Sequence, residues 1–246
     1  EMVSLTHSEF AILMSCVPRT YQVFVAALFG TGMRFSEATA LDVLDYDETA
    51  HTLRISKAWK KVPGGWKIGP PKTRRGRRTI KVPDQIVPFC DDAKEKLAPD
   101  DLLFRNAWGR RIKHSTFYPD LWVPAVRLAN GQPGWPDRGD DWRPAKGSMW
   151  DGINPMPPGM RLGKWPSPHD ARHTAASWMI AGGATLQDVQ YQLGHESIQT
   201  TSDRYADLLP GRREATAAVL STALSQAMPS VPTPLAMSPA LATLSA

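Results

Sequence analysis

The chain is poor in cysteine: Cys16 and Cys90 are the two among 246 residues. They show no paired spacing, so neither a disulfide framework nor a cysteine-based metal centre organises the fold, and a reducing compartment fits. Cys16 sits in an apolar stretch and is expected in the core. No apolar run is long enough to span a membrane, and no secretory signal is visible. The glycine-rich phosphate loop of nucleotide hydrolases is also missing, so chemistry driven by ATP is not expected. There is no internal repeat.

What is present includes enough apolar material for a sizeable core, 42% of residues, with a net charge of +5. The clustering of charge says more than its total. Lys72, Arg74, Arg75, Arg77, Arg78 and Lys81 fall within ten residues. That density suits a polyanion; the bland alternative is a solvated turn.

Periodicity and punctuation predict a mainly α chain with a small antiparallel β-sheet. Residues 5–17 read as an amphipathic helix capped by Thr6, with Glu9 three residues on. Residues 20–29 are apolar almost all round and read as a buried helix. Gly30 and Gly32 should interrupt it before a new helix near Met33. Residues 52–56 and 78–82 read as strands, and 64–73 offers a third, kept at an edge by Pro70 and Pro71. A turn at Arg75-Gly76 would place Lys72 near the tip of a β-hairpin. Helices are expected near 84–97 and 115–129.

Residues 130–166 are rich in Gly, Pro and Trp and lack periodicity. They are too long for an ordinary loop and should form an ordered insertion pinned by Trp135, Trp142, Trp150 and Trp165. Next, Ser167, Pro168 and Asp170 mark a helix start and Gly182-Gly183 its end. Thr185 and Asp188 open a helix that stops at Gly194. A short helix then carries Tyr205. Residues 212–228 have an apolar face at 215, 219, 223 and 227, and 229–246 read as a disordered tail.

The chemistry lies in an ordered series. Arg34 occurs in TGMRFSEATAL, Lys72 in PPKTRRGRRTIKV, and His169 and Arg172 in SPHDARHTAASWM. His195 follows in QLGHES and Tyr205 in TTSDRYADL. Cationic donors around one hydroxyl suit attack on a phosphodiester, whose non-bridging oxygens gain charge as phosphorus becomes five-coordinate. Two arginines suit it because each planar fork binds two oxygens. Glu37 shares a helix face with Arg34 and is a candidate for orienting it. Tyr205, a phenol with a reference pKa of about 10, needs cations or a base nearby. His169 heads a helix, where anions are favoured, and is the candidate to accept the Tyr205 proton or to bond a phosphate oxygen. His195, at a helix junction, is placed to donate to phosphate. His173 reads as a packing or supporting residue.

His169 and His173 also have the spacing of a helical metal pair. HDARH lacks the Glu of H-E-x-x-H, Arg172 would repel a cation, and a third ligand is missing. A zinc hydrolase is therefore the weaker alternative, and no metal is expected. Singly, each residue is ordinary: a helical tyrosine usually packs, and Arg-x-x-Glu is usually a surface ion pair.

Taken together, TGMRFSEATALD and the run from HDARHTAASWM through LGHES to RYADL resemble the tyrosine recombinase (phage integrase) family over roughly a third of the chain. The resemblance implies that family's catalytic-domain fold. It casts Tyr205 as nucleophile, Arg34 and Arg172 as the phosphate clamp, and Lys72, the lysine of the P-K-T segment, as general acid for the 5′-oxygen. It implies site-specific recombination through a 3′-phosphotyrosine, without cofactor, in the cytoplasm of a bacterial host. The partner is double-stranded DNA, contacted by Arg74, Arg75, Arg77 and Arg78, with four protomers on paired sites and room for accessory DNA-bending proteins. Residues 1–211 would form the catalytic domain, and 212–228 a helix docked on a neighbouring protomer or on its own domain. The family predicts a shorter connection at 130–166. It also has an N-terminal core-binding domain that nothing here matches. With the Glu1-Met2 start, this points to the C-terminal half of an integrase. Two other functions share these residues: a type IB topoisomerase, which rejoins the same strand, and a DNA-binding module without catalysis. Covalent trapping at Tyr205 separates catalyst from binder, and exchange between two duplexes separates recombinase from topoisomerase.

Overall fold

A computed structural model describes residues 2–135, 145–205, 218 and 220–223. The chain divides into two compact units, residues 1–208 and 209–246. In the first, α1 (His7–Ser15) is closed by the expected box: the Glu9 carboxylate accepts the Thr6 N–H at 2.7 Å, and Thr6 Oγ1 accepts the Glu9 N–H at 3.2 Å. α2 (Arg19–Thr31) buries Phe24, Val25, Ala27, Leu28 and Phe29. Gly30 does not interrupt this helix, because its neighbours on both sides are packed; the helix ends at Gly32, where φ is +67°. A Cβ at Gly32 would lie 2.5 Å from Leu193 Cδ2 and 3.2 Å from Ala175 Cβ. The next helix starts later than Met33, as α3 (Phe35–Ala38), with Arg34 in extended backbone as its cap.

Five strands follow: β1 (Tyr46–Asp47), β2 (Thr52–Ile55), β3 (Ala58–Val62), β4 (Gly65–Gly69) and β5 (Arg78–Lys81). β1, β2 and β5 form one antiparallel sheet, with Leu53 opposite Ile80 and Ile55 opposite Arg78. β3 and β4 form a separate hairpin, with Trp59 opposite Ile68. Sequence reading missed β1 and β3; the paired lysines of β3 dilute its pattern. Because β4 pairs with β3, the hairpin turns at Pro63-Gly64, between the register partners Val62 and Gly65. Arg74–Gly76 is instead a single 3₁₀ turn, held by Thr73 Oγ1 accepting the Gly76 N–H at 3.1 Å. Lys72 thus lies on the connection from β4 to β5 rather than at a hairpin tip.

α4 (Val87–Lys96) is tied to the first sheet by Tyr46 of β1, whose hydroxyl donates to Asp91 Oδ1 at 2.7 Å. α5 (His114–Phe117) continues through a π-helical turn, Tyr118–Trp122, into α6 (Val123–Ala129). Pro119 and Pro124 account for the widened turn, since proline lacks an N–H and crowds the carbonyl one turn back. Of the insertion, residues 130–135 and 145–166 are described, without helix or strand. Backbone bonds order it: the Met156 and Leu162 N–H groups each donate at 2.8 Å, to the Leu128 and Ala129 carbonyls. Trp150 joins the core, edge-on to Trp135 at 5.0 Å. Trp165 is 53% exposed and is not one of the pins; Trp142 lies outside the described residues.

α7 (Asp170–Ala181), α8 (Leu186–Leu193) and α9 (Ile198–Tyr205) complete the unit. Asp170 Oδ2 accepts the Ser167 N–H and hydroxyl at 2.7 and 2.8 Å, but the helix starts at Asp170 with His169 as its cap and without a side-chain cap bond, so the expected Ser167 cap does not form. The Thr185–Asp188 box closes α8 as expected. α7 packs on α2 and α8. In the second unit, residues 218 and 220–223 are helical. The rest of the expected 212–228 helix and the 229–246 segment lie outside the described residues. Among the described residues, no helix is long and apolar enough to cross a membrane.

Gly32→Ala combines left-handed backbone strain, about 1–2 kcal/mol, with overpacking of about 1–3 kcal/mol. Gly147 has φ +78° and nothing within 4 Å of a Cβ, so Gly147→Ala carries the strain alone. Urea midpoints should fall by about 2–4 kcal/mol equivalent for the first and about 1–2 for the second. Equal losses would show that the contact between α2 and α8 yields freely.

Candidate active site

α3 supplies the first arginine, and Glu37 fixes it. Glu37 Oε2 accepts the Arg34 N–H at 3.0 Å, and Oε1 accepts Arg34 Nη1 at 2.8 Å. The same carboxylate, 1% exposed, accepts Arg78 Nη2 at 3.0 Å. Burial pushes the Glu37 carboxyl up, but Arg78 and then Arg34 hold it below the usual range. Arg78, expected among the exposed DNA contacts, is instead buried and bonded within the fold. Its Nε donates to the Gln192 carbonyl at 2.7 Å, and its Nη1 donates to the Gly76 carbonyl at 2.9 Å. Arg74, Arg75 and Arg77 are exposed, as the polyanion reading requires. Lys72 is exposed too, with no side-chain partner among the described residues.

Arg172 enters from α7 and is buried. Its Nη1 donates to the Gly32 carbonyl at 2.9 Å and its Nη2 to the Leu193 carbonyl at 2.6 Å. Those carbonyls end α2 and α8, where the helix dipole leaves partial negative charge. Burial, then Arg34, lowers the pKa of Arg172. The site is short of negative charge.

His169 is exposed at the head of α7; His173, one turn on, is buried. Their rings meet edge-on at 5.2 Å. His173 Nδ1 lies 2.7 Å from Tyr205 Oη. His173, not His169, is therefore the histidine that touches the tyrosine, because it is the member of the pair on the inner face of α7. Burial, then His169, pushes His173 down to about 4, so it is neutral at pH 7. With its hydrogen on Nε2, its Nδ1 accepts the phenol hydrogen. Tyr205 is 1% exposed. Burial raises its pKa, while Arg172 and Arg204 act against the rise. His195 lies parallel to the Tyr205 ring, centroids 6.4 Å apart, and its Nδ1 bonds Thr201 Oγ1 at 2.9 Å. Burial, then Arg172, pushes His195 down to about 3. In this conformation His195 buttresses the tyrosine, with one ring nitrogen committed to Thr201.

Arg34, His169 and Arg172 line one pocket of about 310 Å³, whose wall contains no acidic residue. Neither Tyr205 nor Lys72 lines it. Trp66, Arg111 and His114 do, and sequence reading missed all three. The basic run GRRIKHS at 109–115 was the available signal for two of them. Among the described residues, no group of three or more His, Cys, Asp or Glu side chains is placed to hold a metal ion.

Folding holds His173 and His195 neutral, whereas in the unfolded chain each takes up a proton near pH ~6.5. As pH falls below that value toward about 4 for His173 and about 3 for His195, the unfolded state binds more protons and stability falls. Urea unfolding should show lower stability at pH 5 than at pH 7, and His173→Asn should shrink that loss by about 1–2 kcal/mol. An undiminished loss would mean that His173 is already protonated in the folded protein.

The sequence and fold have known counterparts. A profile of the phage integrase family matches residues 158–212. Over 221 residues the chain is 28% identical to the putative prophage phiRv2 integrase of Mycobacterium tuberculosis (strain H37Rv), covering 88% of this chain and 50% of that protein. Over 207 residues it is 27% identical to the tyrosine recombinase XerD of Corynebacterium glutamicum, covering 80% and 55%. The chain thus spans about half the length of the curated relatives it matches. Its fold is similar to that of the Tn1549 transposon integrase in complex with circular intermediate DNA, with a TM-score of 0.64 and 20% identity over 89% of this chain and 67% of that one. The XerA recombinase gives 0.54 and 18% over 93% and 65%. With the ordered Arg, His-x-x-Arg, LGH and Tyr series set on this helical frame, the chain is similar to phage integrases and has the fold of a tyrosine recombinase catalytic domain.

Proposed function

We propose that the chain cleaves and rejoins DNA strands in site-specific recombination. One observation carries this reading: Arg34, His169 and Arg172 converge on an acid-free pocket that His169 and His173 link to Tyr205. The relatives are integrases and a Xer recombinase, which agrees with it.

A phosphodiester of duplex DNA enters the pocket, and the two arginines donate to its non-bridging oxygens, where charge develops. Tyr205 gives its hydrogen to His173 Nδ1, and its oxygen moves from His173 to phosphorus. The Oη–P bond forms as the P–O5′ bond breaks. Lys72, on its exposed connection, delivers a proton to the departing O5′. The products are a 3′-phosphotyrosine and a 5′-hydroxyl. In the return step a partner strand's 5′-hydroxyl attacks phosphorus and yields its proton to Lys72. The Tyr205 oxygen leaves and recovers its hydrogen from His173. Because the phosphotyrosine conserves the broken bond, no nucleotide is consumed. Four protomers on paired sites complete the exchange of both strands.

Tyr205→Phe should retain DNA binding and form no covalent adduct on a nicked duplex carrying the recombination site. An adduct mapped to a different tyrosine rejects the assignment. Arg34→Ala should slow cleavage about 10²–10³-fold, as loss of one donor to developing charge does. Arg172→Lys should fall in the same range; the alanine variant would also release two helix ends. Near-wild-type rates would remove either arginine from the clamp. Exchange between two duplexes, in preference to relaxation of a supercoiled plasmid, is the outcome that fits recombination.

Lys72 is tested separately. A 5′-bridging sulfur leaves as a thiolate without needing a proton. Lys72→Ala should therefore be slow on the oxygen substrate and recover on the sulfur one. Equal defects on both would make Lys72 a phosphate contact only.

A further inference from the structure

Arg111 is held in an unusual way. Its guanidinium carbon lies 3.8 Å from the Trp59 ring centroid and 5.1 Å from that of Trp66. Its backbone forms a short bridge with Arg105. The Trp59 Nε1–H donates to the Thr39 carbonyl at 2.9 Å, which fastens β3 to the end of α3. Arg111 and Arg34 are thus supported from opposite ends of one short helix.

Two indole faces hold the cation by electrostatic attraction, but they satisfy none of its N–H groups. Arg111 Nε is buried without a hydrogen-bond partner, and the side chain has no ion pair among the described residues. Buried donors are rarely left unpaired, and Arg111 opens onto the pocket that Arg34 and Arg172 share. Among the described residues, no carboxylate lines that pocket. Burial lowers the arginine's pKa, as expected of a cation that lacks an anion. The planar fork and the missing acceptor call for an oxyanion, and beside the proposed phosphodiester pocket that oxyanion is a phosphate.

We propose that Arg111 is a second phosphate subsite, which binds a backbone phosphate beside the scissile one and sets the register of the DNA strand against Tyr205. This rests on the phosphodiester reading of the pocket, yet its test does not require catalysis. Each phosphate neutralised by a side chain contributes about 0.9 to the slope of log affinity against log salt on duplex DNA. The full chain is titrated with a short fluorescent random-sequence duplex over a range of salt concentrations. Arg111→Ala should lower the slope by about one and weaken binding several-fold at low salt. Arg111→Lys should keep the slope, since the charge remains. A purely structural role would lower the melting temperature and leave the slope unchanged, which overturns the proposal. If the alanine variant fails to fold, Arg111→Gln against Arg111→Lys makes the same comparison.

Inorganic phosphate at matched ionic strength is the second probe. Competition that disappears in Arg111→Ala, with an unchanged DNA slope, would make this a free-phosphate site and overturn the DNA contact. A lowered slope in a chain that forms no Tyr205 adduct would keep the subsite and reject the recombinase reading. An unchanged slope with an intact adduct would reject the subsite alone. Absence of DNA binding would reject both.

Discussion

Two carbonyl groups, of Gly32 and Leu193, hold the guanidinium of Arg172 where α2 and α8 end. A charged group this deeply buried is costly unless it is bonded, and here the bonds come from the negative ends of helices rather than from an acid. That choice leaves Arg172 its charge. The one carboxylate at the centre, Glu37, is shared between Arg34 and Arg78. Three arginines therefore surround one acid, and the pocket stays positive. An anion is the component that such an arrangement lacks.

Tyr205, carried by α9, lies against the inner side of α7, the helix that presents Arg172. His169 faces the pocket and His173 faces Tyr205, a division made by one turn of α7. In the proposed reaction, attack on a phosphate in the pocket requires the hydroxyl to leave its buried hydrogen bond to His173.

Much of this was legible in the sequence because it is local. The Thr6–Glu9 and Thr185–Asp188 boxes depend on residues three apart, and both close as read. Glu37 with Arg34 belongs to the same class. The site residues were legible as a series, but their facing was not. Spacing puts His169 and His173 on one helix and cannot say which looks inward. Lys72 was misplaced because its hairpin depends on β3, whose lysines mask a strand. Arg78 is the instructive error. It alternates with Ile80 on β5, so both point to the same face, and the face of Ile80 is the core. Reading the basic cluster as one surface overrode that alternation. Trp66 on β4 and the segment that carries Arg111 and His114 are distant in the chain, and only the tertiary fold brings them together at the pocket.

Because Arg172, Arg78 and Glu37 brace helix ends and a sheet, a copy of this gene freed from selection for activity would still retain them. Drift would strike first where the fold has no stake, at exposed His169 and Lys72. In this architecture the buried arginine is thus weak testimony that a descendant still works. Under the proposed reaction the surface residues of the series are the stronger witnesses, and this chain carries both His169 and Lys72.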